Sequence, residues 1–173
     1  DKKDTISYCL DAIKKAGADK ATCSLSMSEK KELNVEIGEM TLFRTTFNTS
    51  LGISVIKDQK KGTTAINKID EESINSAIEL VMNMAEGSQP DEAHDIASKQ
   101  PSQSFSKGDE SANLDKMYQS LEGFVEYVKL SYPKIQLEAA IMDFNHTKSF
   151  FQNSNGVDFE VREGMYGFSP WFL

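Results

Sequence analysis

The chain has 173 residues, and 19 Lys and Arg against 27 Asp and Glu give it a formal charge of −8 at neutral pH. A balance this acidic argues against a surface built mainly to bind the phosphate backbone of a nucleic acid. Hydrophobic residues make up 39% of the chain, which is enough for a core at this length. No apolar run approaches the roughly 20 residues of a membrane-spanning helix, and the N-terminus lacks the apolar stretch of a secretion signal. The composition predicts one cytoplasmic domain, or a tight pair of lobes, without direct contact to membranes or nucleic acid.

Residues that usually carry catalysis or bind metals are few and scattered. The two histidines, His94 and His146, lie far apart, and the two cysteines, Cys9 and Cys23, are too few for a disulfide framework. The sequence has no glycine-rich phosphate loop, no nucleophile-elbow motif and no close helical pair of metal ligands. His94 has acidic neighbours at 91, 92 and 95, which fit a solvated acidic loop better than a metal site. We therefore expect no catalytic residue, no metal ligand and no cofactor-binding residue in this chain.

The first half begins with a predicted helix over residues 4–16, because Ile6, Cys9, Leu10 and Ile13 recur at helical spacing. The period of the pattern then changes to two, which is typical of half-buried strands. A tight turn is predicted at Gly38-Glu39, and Asn48-Thr49-Ser50 breaks the alternation. The result is a five-strand antiparallel meander with strands over residues 21–28, 33–37, 40–47, 51–56 and 63–66.

A second helix is predicted over residues 70–86, with Asp70 as its N-cap and a continuous apolar stripe. The composition then shifts, and residues 87–112 are rich in serine with few large apolar side chains. Such a segment cannot bury much surface, so we expect a linker or a long excursion there.

The second half starts with a predicted helix over residues 113–130, followed by strands over 135–141, around Phe150-Phe151 and over 157–161. His146 is placed in a solvated turn between the first two of these strands. Each half, 1–86 and 113–173, thus reads as a helix followed by a β-meander, which suggests two similar halves. The predicted fold class is α+β, with a twisted antiparallel or mixed sheet and helices packed on one face.

The chain ends in a run of apolar residues with no following element to cover it. Phe168, Trp171, Phe172 and Leu173 are therefore predicted to form an assembly surface that contacts a missing domain or a second chain. Phe43 and Phe47 share one face of their strand while Leu42 takes the other. These side chains either fill the core or extend the assembly surface.

Five short motifs, in this order and spacing, resemble the N-terminal domain of the PmbA/TldD family. The first motif resembles GADxA and follows the first predicted helix, and the second is a hairpin that contains a Gly-Glu pair. The third and fourth are strands that resemble GLGIxV and KGSAST, and the fifth is an NSNG turn. The motifs are Ala16-Gly17-Ala18-Asp19-Lys20-Ala21, Leu33-Asn34-Val35-Glu36-Ile37-Gly38-Glu39-Met40, Ser50-Leu51-Gly52-Ile53-Ser54-Val55-Ile56, Lys61-Gly62-Thr63-Thr64-Ala65 and Asn153-Ser154-Asn155-Gly156-Val157.

The resemblance implies that residues 1–173 are the N-terminal domain of a longer chain, closer to the PmbA (TldE) branch because of Phe47-Asn48-Thr49-Ser50-Leu51-Gly52. It implies a non-catalytic subunit of a TldD/TldE-type metallopeptidase complex that cleaves unfolded peptides inside a chamber. The zinc motif H-E-x-x-x-H is absent from these residues, so zinc is expected only in a TldD-like partner subunit. The expected partners are the missing C-terminal domain, that subunit in a homo- or hetero-oligomer, and peptide substrates. The alternatives are a free-standing peptide- or protein-binding module and a regulator of DNA gyrase that acts by protein contact.

Overall fold

The computed structural model describes residues 2–173. Over these residues the chain forms three helices and six strands, and the strands form one open sheet in the order β3-β2-β1-β5-β6-β4. This arrangement confirms the predicted α+β class. The elements are α1 (Lys2–Lys15), β1 (Lys20–Glu36), β2 (Glu39–Lys57), β3 (Lys60–Ile66), α2 (Glu71–Gly87), β4 (Gln103–Lys107), α3 (Leu114–Ser131), β5 (Leu137–Asn153) and β6 (Asp158–Phe172).

The sheet is mixed. β2 and β3 pair antiparallel from Leu51↔Ile66 to Lys57↔Lys60. β1 and β5 are also antiparallel, because the N–H of Ser154 donates to the carbonyl of Ala21 at one end and the N–H of Ile37 to that of Glu138 at the other. β4 runs parallel to β6, since its contacts advance from Phe159 to Glu163 as β4 itself advances from residue 105 to residue 107.

Several predicted boundaries are wrong because the strands continue through polar residues that interrupt the apolar alternation. Residues 20–36 form one strand, and residues 39–57 form one strand straight through Asn48-Thr49-Ser50, so the expected five-strand meander contains three strands. His146 lies within the continuous strand β5 and not in a turn. The backbone ladder does not require an apolar side chain at every second position, so polar stretches can continue a strand whose neighbours pair with it.

Both early hairpin turns use left-handed backbone. The first turn is Ile37-Gly38, with φ of 49° and 76°, so it begins one residue before the predicted Gly38-Glu39. The second is Asp58-Gln59, with φ of 51° and 63°. Two consecutive residues at positive φ are typical of the two-residue turns that match strand twist.

Contacts divide the chain into two compact units. The first contains the chain up to Met27, Asn48–Phe105 and Lys148–Val161. In it, α1 and α2 pack on one face of the strands, and Asp70 caps α2 by accepting a hydrogen bond of 2.9 Å from the N–H of Ser73, as predicted. The buried core of this unit comprises Ile6, Cys9, Ile13, Ala21, Cys23, Leu25, Leu51, Ile53, Val55, Ile74, Ala77, Ile78, Val81, Met82, Ala85 and Phe150.

The second unit contains Ser28–Phe47, Ser106–Thr147 and Arg162–Leu173. Helix α3, capped by Asn113, packs on β1 and β5 around its own core. The long strands pass from one unit to the other, so the units do not coincide with the halves 1–86 and 113–173. The similarity of those halves stays a prediction. The core comprises Val35, Leu121, Val125, Val128, Leu137 and Ala140.

The segment 87–112 is an excursion tied to its surroundings. The N–H of Asp91 donates to the carbonyl of Gln59 at 2.9 Å, and the side-chain amide of Asn153 donates to the carbonyl of Ala97 at 2.8 Å. It also contains the short strand β4, which was not predicted because its Gln-Ser-Phe-Ser-Lys sequence lacks apolar alternation. Within residues 2–173, none of the helices has both the length and the apolar character needed to cross a bilayer.

Candidate assembly surface

Of the residues predicted as an assembly surface, Phe168, Trp171 and Phe172 lie in the last part of β6, and Leu173 follows directly after it. Leu173 exchanges two backbone hydrogen bonds with Gln136, of 2.9 and 3.2 Å, which hold the terminus beside the start of β5. The exposed fractions are 43% for Phe168, 46% for Trp171, 47% for Phe172 and 73% for Leu173. These apolar side chains therefore remain substantially exposed although the backbone is paired.

The terminal residues divide between the two faces of the sheet. Phe168 packs edge-on against Phe124 of α3 with ring centroids 4.8 Å apart, and Phe172 approaches the same ring at 6.3 Å. Because side chains alternate along a strand, Trp171 and Leu173 project from the opposite face. The structure thus brings Phe168 and Phe172 together and separates them from Trp171 and Leu173.

A cleft of about 380 Å³ lies beside Phe168, between the start of α3 and β6. Tyr166 closes one side, where its hydroxyl accepts a hydrogen bond of 3.0 Å from the N–H of Asn113 and its ring lies 4.7 Å from that of Phe144. Met117 and Met142 contribute apolar side chains to the lining of the cleft, and Lys116 and Asp109 contribute charged ones. The cleft could accept an apolar side chain of a partner beside the exposed Phe168 ring.

The outer part of β2 forms a second apolar surface in the same unit. Every residue of β2 from Glu39 to Phe47 is exposed, with exposed fractions of 51% for Phe43 and 73% for Phe47. Leu42, on the other face, is also exposed. The alternative that Phe43 and Phe47 fill the core is therefore wrong, and their surroundings match a surface available to a partner.

The buried carboxylate of Glu32 links β1 to β2, the two strands of the first hairpin. Glu32 of β1 accepts a hydrogen bond from Lys30 at its Oε2, at 2.9 Å, and one from Asn34 at its Oε1, at 3.1 Å. Nη2 of Arg44 in β2 lies 2.8 Å from the same Oε1. Lys30 also reaches Asp143 of β5 at 3.0 Å. Burial alone would raise the pKa of Glu32, but the hydrogen bonds from Lys30 and Asn34 and the nearby positive charges hold that pKa below its usual range. The cluster is not visible in the sequence, because its members come from three separate strands.

The residues considered as possible metal ligands form contacts with other groups of the protein. His94 places its Nδ1 3.0 Å from the carbonyl oxygen of Gln59, and Asp95 pairs with Lys20, whose hydrogen bond lowers the pKa of that carboxyl. The thiols of Cys9 and Cys23 are fully buried with their Sγ atoms 3.4 Å apart. Hydrogen bonding to Cys9, together with burial, raises the pKa of Cys23. Among residues 2–173, no group of three or more His, Cys, Asp or Glu side chains is arranged to hold a metal ion.

Comparison with known proteins adds an independent line of evidence. Residues 23–85 match the family described as PmbA/TldA metallopeptidase domain 1. No curated protein shows significant similarity to the sequence. Among solved structures, TldE from Thermococcus kodakarensis matches with a TM-score of 0.78 and 18% identity, over 97% of this chain and 39% of that one.

Two further solved structures share the fold, and both are described as proposed modulators of DNA gyrase. The protein from Bacteroides thetaiotaomicron matches with a TM-score of 0.79 and 15% identity, over 96% of this chain and 39% of that one. The protein from Thermotoga maritima matches with a TM-score of 0.67 and 12% identity, over 99% of this chain and 42% of that one. The chain thus spans about two fifths of the length of these structures.

The fold and its exposed apolar surfaces define an α+β domain with an open mixed sheet, of the kind found as one part of larger proteins. The family match at residues 23–85 and the shared fold agree with the resemblance drawn from the sequence motifs. The resemblance to the N-terminal domain of the PmbA/TldD family is therefore confirmed.

Proposed function

We propose that the chain is the non-catalytic N-terminal domain of a PmbA/TldE-like subunit in a TldD/TldE-type metallopeptidase complex. In this role it contributes to the chamber wall and to assembly, and the complex acts on unfolded peptides or proteins in the cytoplasm. The family match and the shared fold support the proposal. The H-E-x-x-x-H motif is absent from these 173 residues, so the proposal assigns zinc and catalysis to the TldD-like subunit.

The observation that carries the assembly role is the exposure of Trp171 and its neighbours at the end of β6. A well-ordered strand that presents large apolar side chains to water is an aggregation liability in a monomer. Burial against another domain or subunit would remove that apolar area from water, which is the main driving force of association.

The test is to co-express the full-length subunit with a TldD-like subunit and to measure the mass and affinity of the complex. Trp171→Ser should weaken the association at least tenfold, because Trp is the type of side chain that most often dominates an interface. Leu130→Ser is the matched control, since Leu130 on α3 is 83% exposed and lies outside the proposed surface. Equal affinities for the wild type and Trp171→Ser would show that Trp171 is not part of the interface.

A peptide-binding module is the second candidate, and the open edge of β2 favours it. An extended peptide can add to an exposed sheet edge through backbone hydrogen bonds. Titration of the chain with labelled unfolded peptides, read by fluorescence anisotropy, tests this function. The third candidate, regulation of DNA gyrase by protein contact, predicts a change in supercoiling activity when the chain is added to purified gyrase.

A further inference from the structure

Two cysteines are in contact inside the core of the first unit. Cys9 lies on the buried face of α1 and Cys23 on β1, and both side chains are fully buried. The thiol of Cys23 donates a hydrogen bond to the Sγ of Cys9, and the two sulfur atoms are 3.4 Å apart. A disulfide bond is about 2.05 Å long, so an approach of roughly 1.4 Å would be enough to join them. These are the two cysteines of the sequence, so each thiol has one possible partner within the chain.

The surroundings of the pair keep it reduced while α1 stays in place. The hydrogen bond to Cys9 and burial raise the pKa of Cys23, which disfavours the thiolate that reacts with oxidants. Burial also separates both sulfur atoms from any oxidant dissolved in water. Among residues 2–173, no third His, Cys, Asp or Glu completes a metal site with the pair. Oxidation of the pair therefore requires that one thiol leaves the core.

The two thiols are fixed to different degrees, because they belong to different kinds of element. β1 lies between β2 and β5 in the sheet, so backbone hydrogen bonds on both sides hold Cys23 in place. A helix makes its backbone hydrogen bonds internally, and α1 contacts its surroundings through side chains, such as the hydroxyl of Tyr8, which donates to Glu71 of α2 at 3.1 Å. Helix α1 can therefore separate from the sheet without breaking a strand ladder, and Cys9 moves with it.

We propose that Cys9 and Cys23 form a disulfide when a peroxide reaches the pair during an opening of α1, and that this bond then fixes α1 to β1. The thiolate of Cys9 attacks one peroxide oxygen, the O–O bond breaks, hydroxide leaves, and Cys9 becomes a sulfenic acid. When α1 closes again, the sulfur of Cys23 attacks the sulfur of Cys9, the S–O bond breaks, and the hydroxyl group leaves with the thiol proton as water. With hydrogen peroxide, the two thiols lose two electrons and two protons, and the peroxide becomes two water molecules.

The bond would change how easily α1 opens. It closes the loop between residues 9 and 23, about 15 residues long, and a cross-link across such a loop restricts the open and unfolded chain more than the closed one. Oxidation therefore holds the helix in place. In a reducing compartment a disulfide of this kind is transient, because cellular thiols return it to the dithiol. The site lies inside the first unit and does not depend on the assembly role proposed above.

Treatment of the chain with hydrogen peroxide tests whether the bond forms. Intact mass spectrometry under non-reducing conditions should show the loss of two hydrogen atoms, and digestion should give a cross-linked peptide pair with Cys9 and Cys23. Dithiothreitol should restore both thiols. Cys23→Ala is the control, because Cys9 then lacks its partner and should accumulate sulfenic and sulfinic acids. Wild-type thiols that stay free, become sulfinic acids or link different molecules would overturn the proposal.

Variants that loosen α1 test whether its opening controls the reaction. Ile6→Ala removes a fully buried side chain of α1 and should speed disulfide formation by about tenfold or more, because the helix opens more easily. Leu121→Ala is the matched control, since Leu121 is equally buried but lies on α3 in the second unit, and it should change the rate by less than about twofold. If circular dichroism shows that Ile6→Ala does not fold, Ile6→Val takes its place, with an acceleration of about threefold. Equal acceleration by the Ile6 and Leu121 variants would overturn the role of α1.

Hydrogen exchange tests whether the bond fixes the helix. The amides of α1 should exchange about tenfold more slowly in the oxidised chain than in the reduced chain, because the cross-link opposes opening. The amides of α3 should exchange at the same rate in both forms, and dithiothreitol should reverse the protection of α1. Equal exchange of the α1 amides in the two forms would overturn the claim that the disulfide holds α1 against β1.

Discussion

At the scale of single residues, Glu32 shows how a charged group is accommodated inside this fold. Its carboxylate is almost fully buried, yet it receives hydrogen bonds from Lys30 and Asn34 and pairs with Arg44. Burying a carboxylate is costly unless it is paired and hydrogen-bonded, and both conditions are met here. Glu32 therefore fixes β1 against the β2 strand that carries Phe43 and Phe47.

Replacing Glu32 with Gln should destabilise the chain by about 1–3 kcal/mol at pH 7, because the charge-assisted hydrogen bonds are lost. The folded state holds the pKa of Glu32 below its usual range, so its contribution is present above the unfolded pKa of about 4.3. That contribution is lost as the pH falls through the lower, folded pKa. Urea denaturation of both proteins at pH 7 and at pH 3 should show the difference shrinking in acid.

Glu29→Gln is the control for this experiment. Glu29 pairs with Lys31 on the same strand, but its side chain is 39% exposed, so the substitution should change stability by less than about 0.5 kcal/mol. A difference between wild type and Glu32→Gln that persists unchanged at pH 3 would contradict the role given to the ionised carboxylate.

At Gly62, strand β3 lies very close to the backbone of helix α2. A Cβ at this position would lie 2.2 Å from the carbonyl oxygen of Val81 and 2.8 Å from the backbone nitrogen of Ala85. Gly62→Ala should therefore separate β3 from α2 and cost about 1–3 kcal/mol, measured by thermal unfolding. Gly123→Ala, at a position in α3 where nothing lies within 4 Å, should instead stabilise by up to about 1 kcal/mol. A neutral Gly62→Ala would show that the helix can shift without cost.

At the scale of elements, the excursion over residues 87–112 combines exposure with a few specific anchors. It remains the segment that we expect proteases to cut before the flanking helices, because most of its side chains are exposed and residues 88–112 contain no helix. Limited trypsin digestion followed by mass spectrometry should identify the first cuts after Lys99 or Lys107. First cuts within α2 or α3 would contradict this order of stability.

The anchor at Asn153 should control how fast the excursion is cut. Asn153→Ala removes the hydrogen bond to Ala97 and should accelerate cleavage after Lys99 by about threefold or more, since a net hydrogen bond contributes about 1 kcal/mol. Asn145→Ala on the same strand is the control, because Asn145 bonds Thr147 and makes no bond to the excursion. Equal acceleration in both variants would indicate general destabilisation.

At the scale of the whole molecule, the proposal that zinc is bound by the TldD-like subunit predicts the zinc content of the isolated chain. The isolated chain should retain far less than one equivalent of zinc after dialysis against a weak chelator, because residues 2–173 contain no group of three potential ligands and the two thiols are buried as a pair. The co-purified complex should retain zinc in its TldD-like subunit. Atomic absorption on both samples measures this, and stoichiometric zinc in the isolated chain would contradict the prediction.

Helices and turns were predictable from sequence because their signals are local. The stripe of α2, its cap at Asp70 and the hairpin near Gly38 depend on residues within one or two turns of each other. The terminal residues proposed as an assembly surface could be selected for a similar reason, since Phe168 and Trp171 stand out as large apolar side chains. Their division between two faces could not be found, because the sequence pattern had not shown that β6 extends to Phe172.

The sequence by itself determined the α+β class, the three helices and the resemblance to the PmbA/TldD N-terminal domain, since periodicity, caps and ordered motifs are properties of short stretches. Only the tertiary structure decided the full length of β1, β2 and β5, the existence of β4 and the exposure of Phe43 and Phe47. A strand exists where a neighbour pairs with it, and a side chain is exposed where nothing covers it. Both conditions depend on residues far away in the chain, which local patterns do not encode.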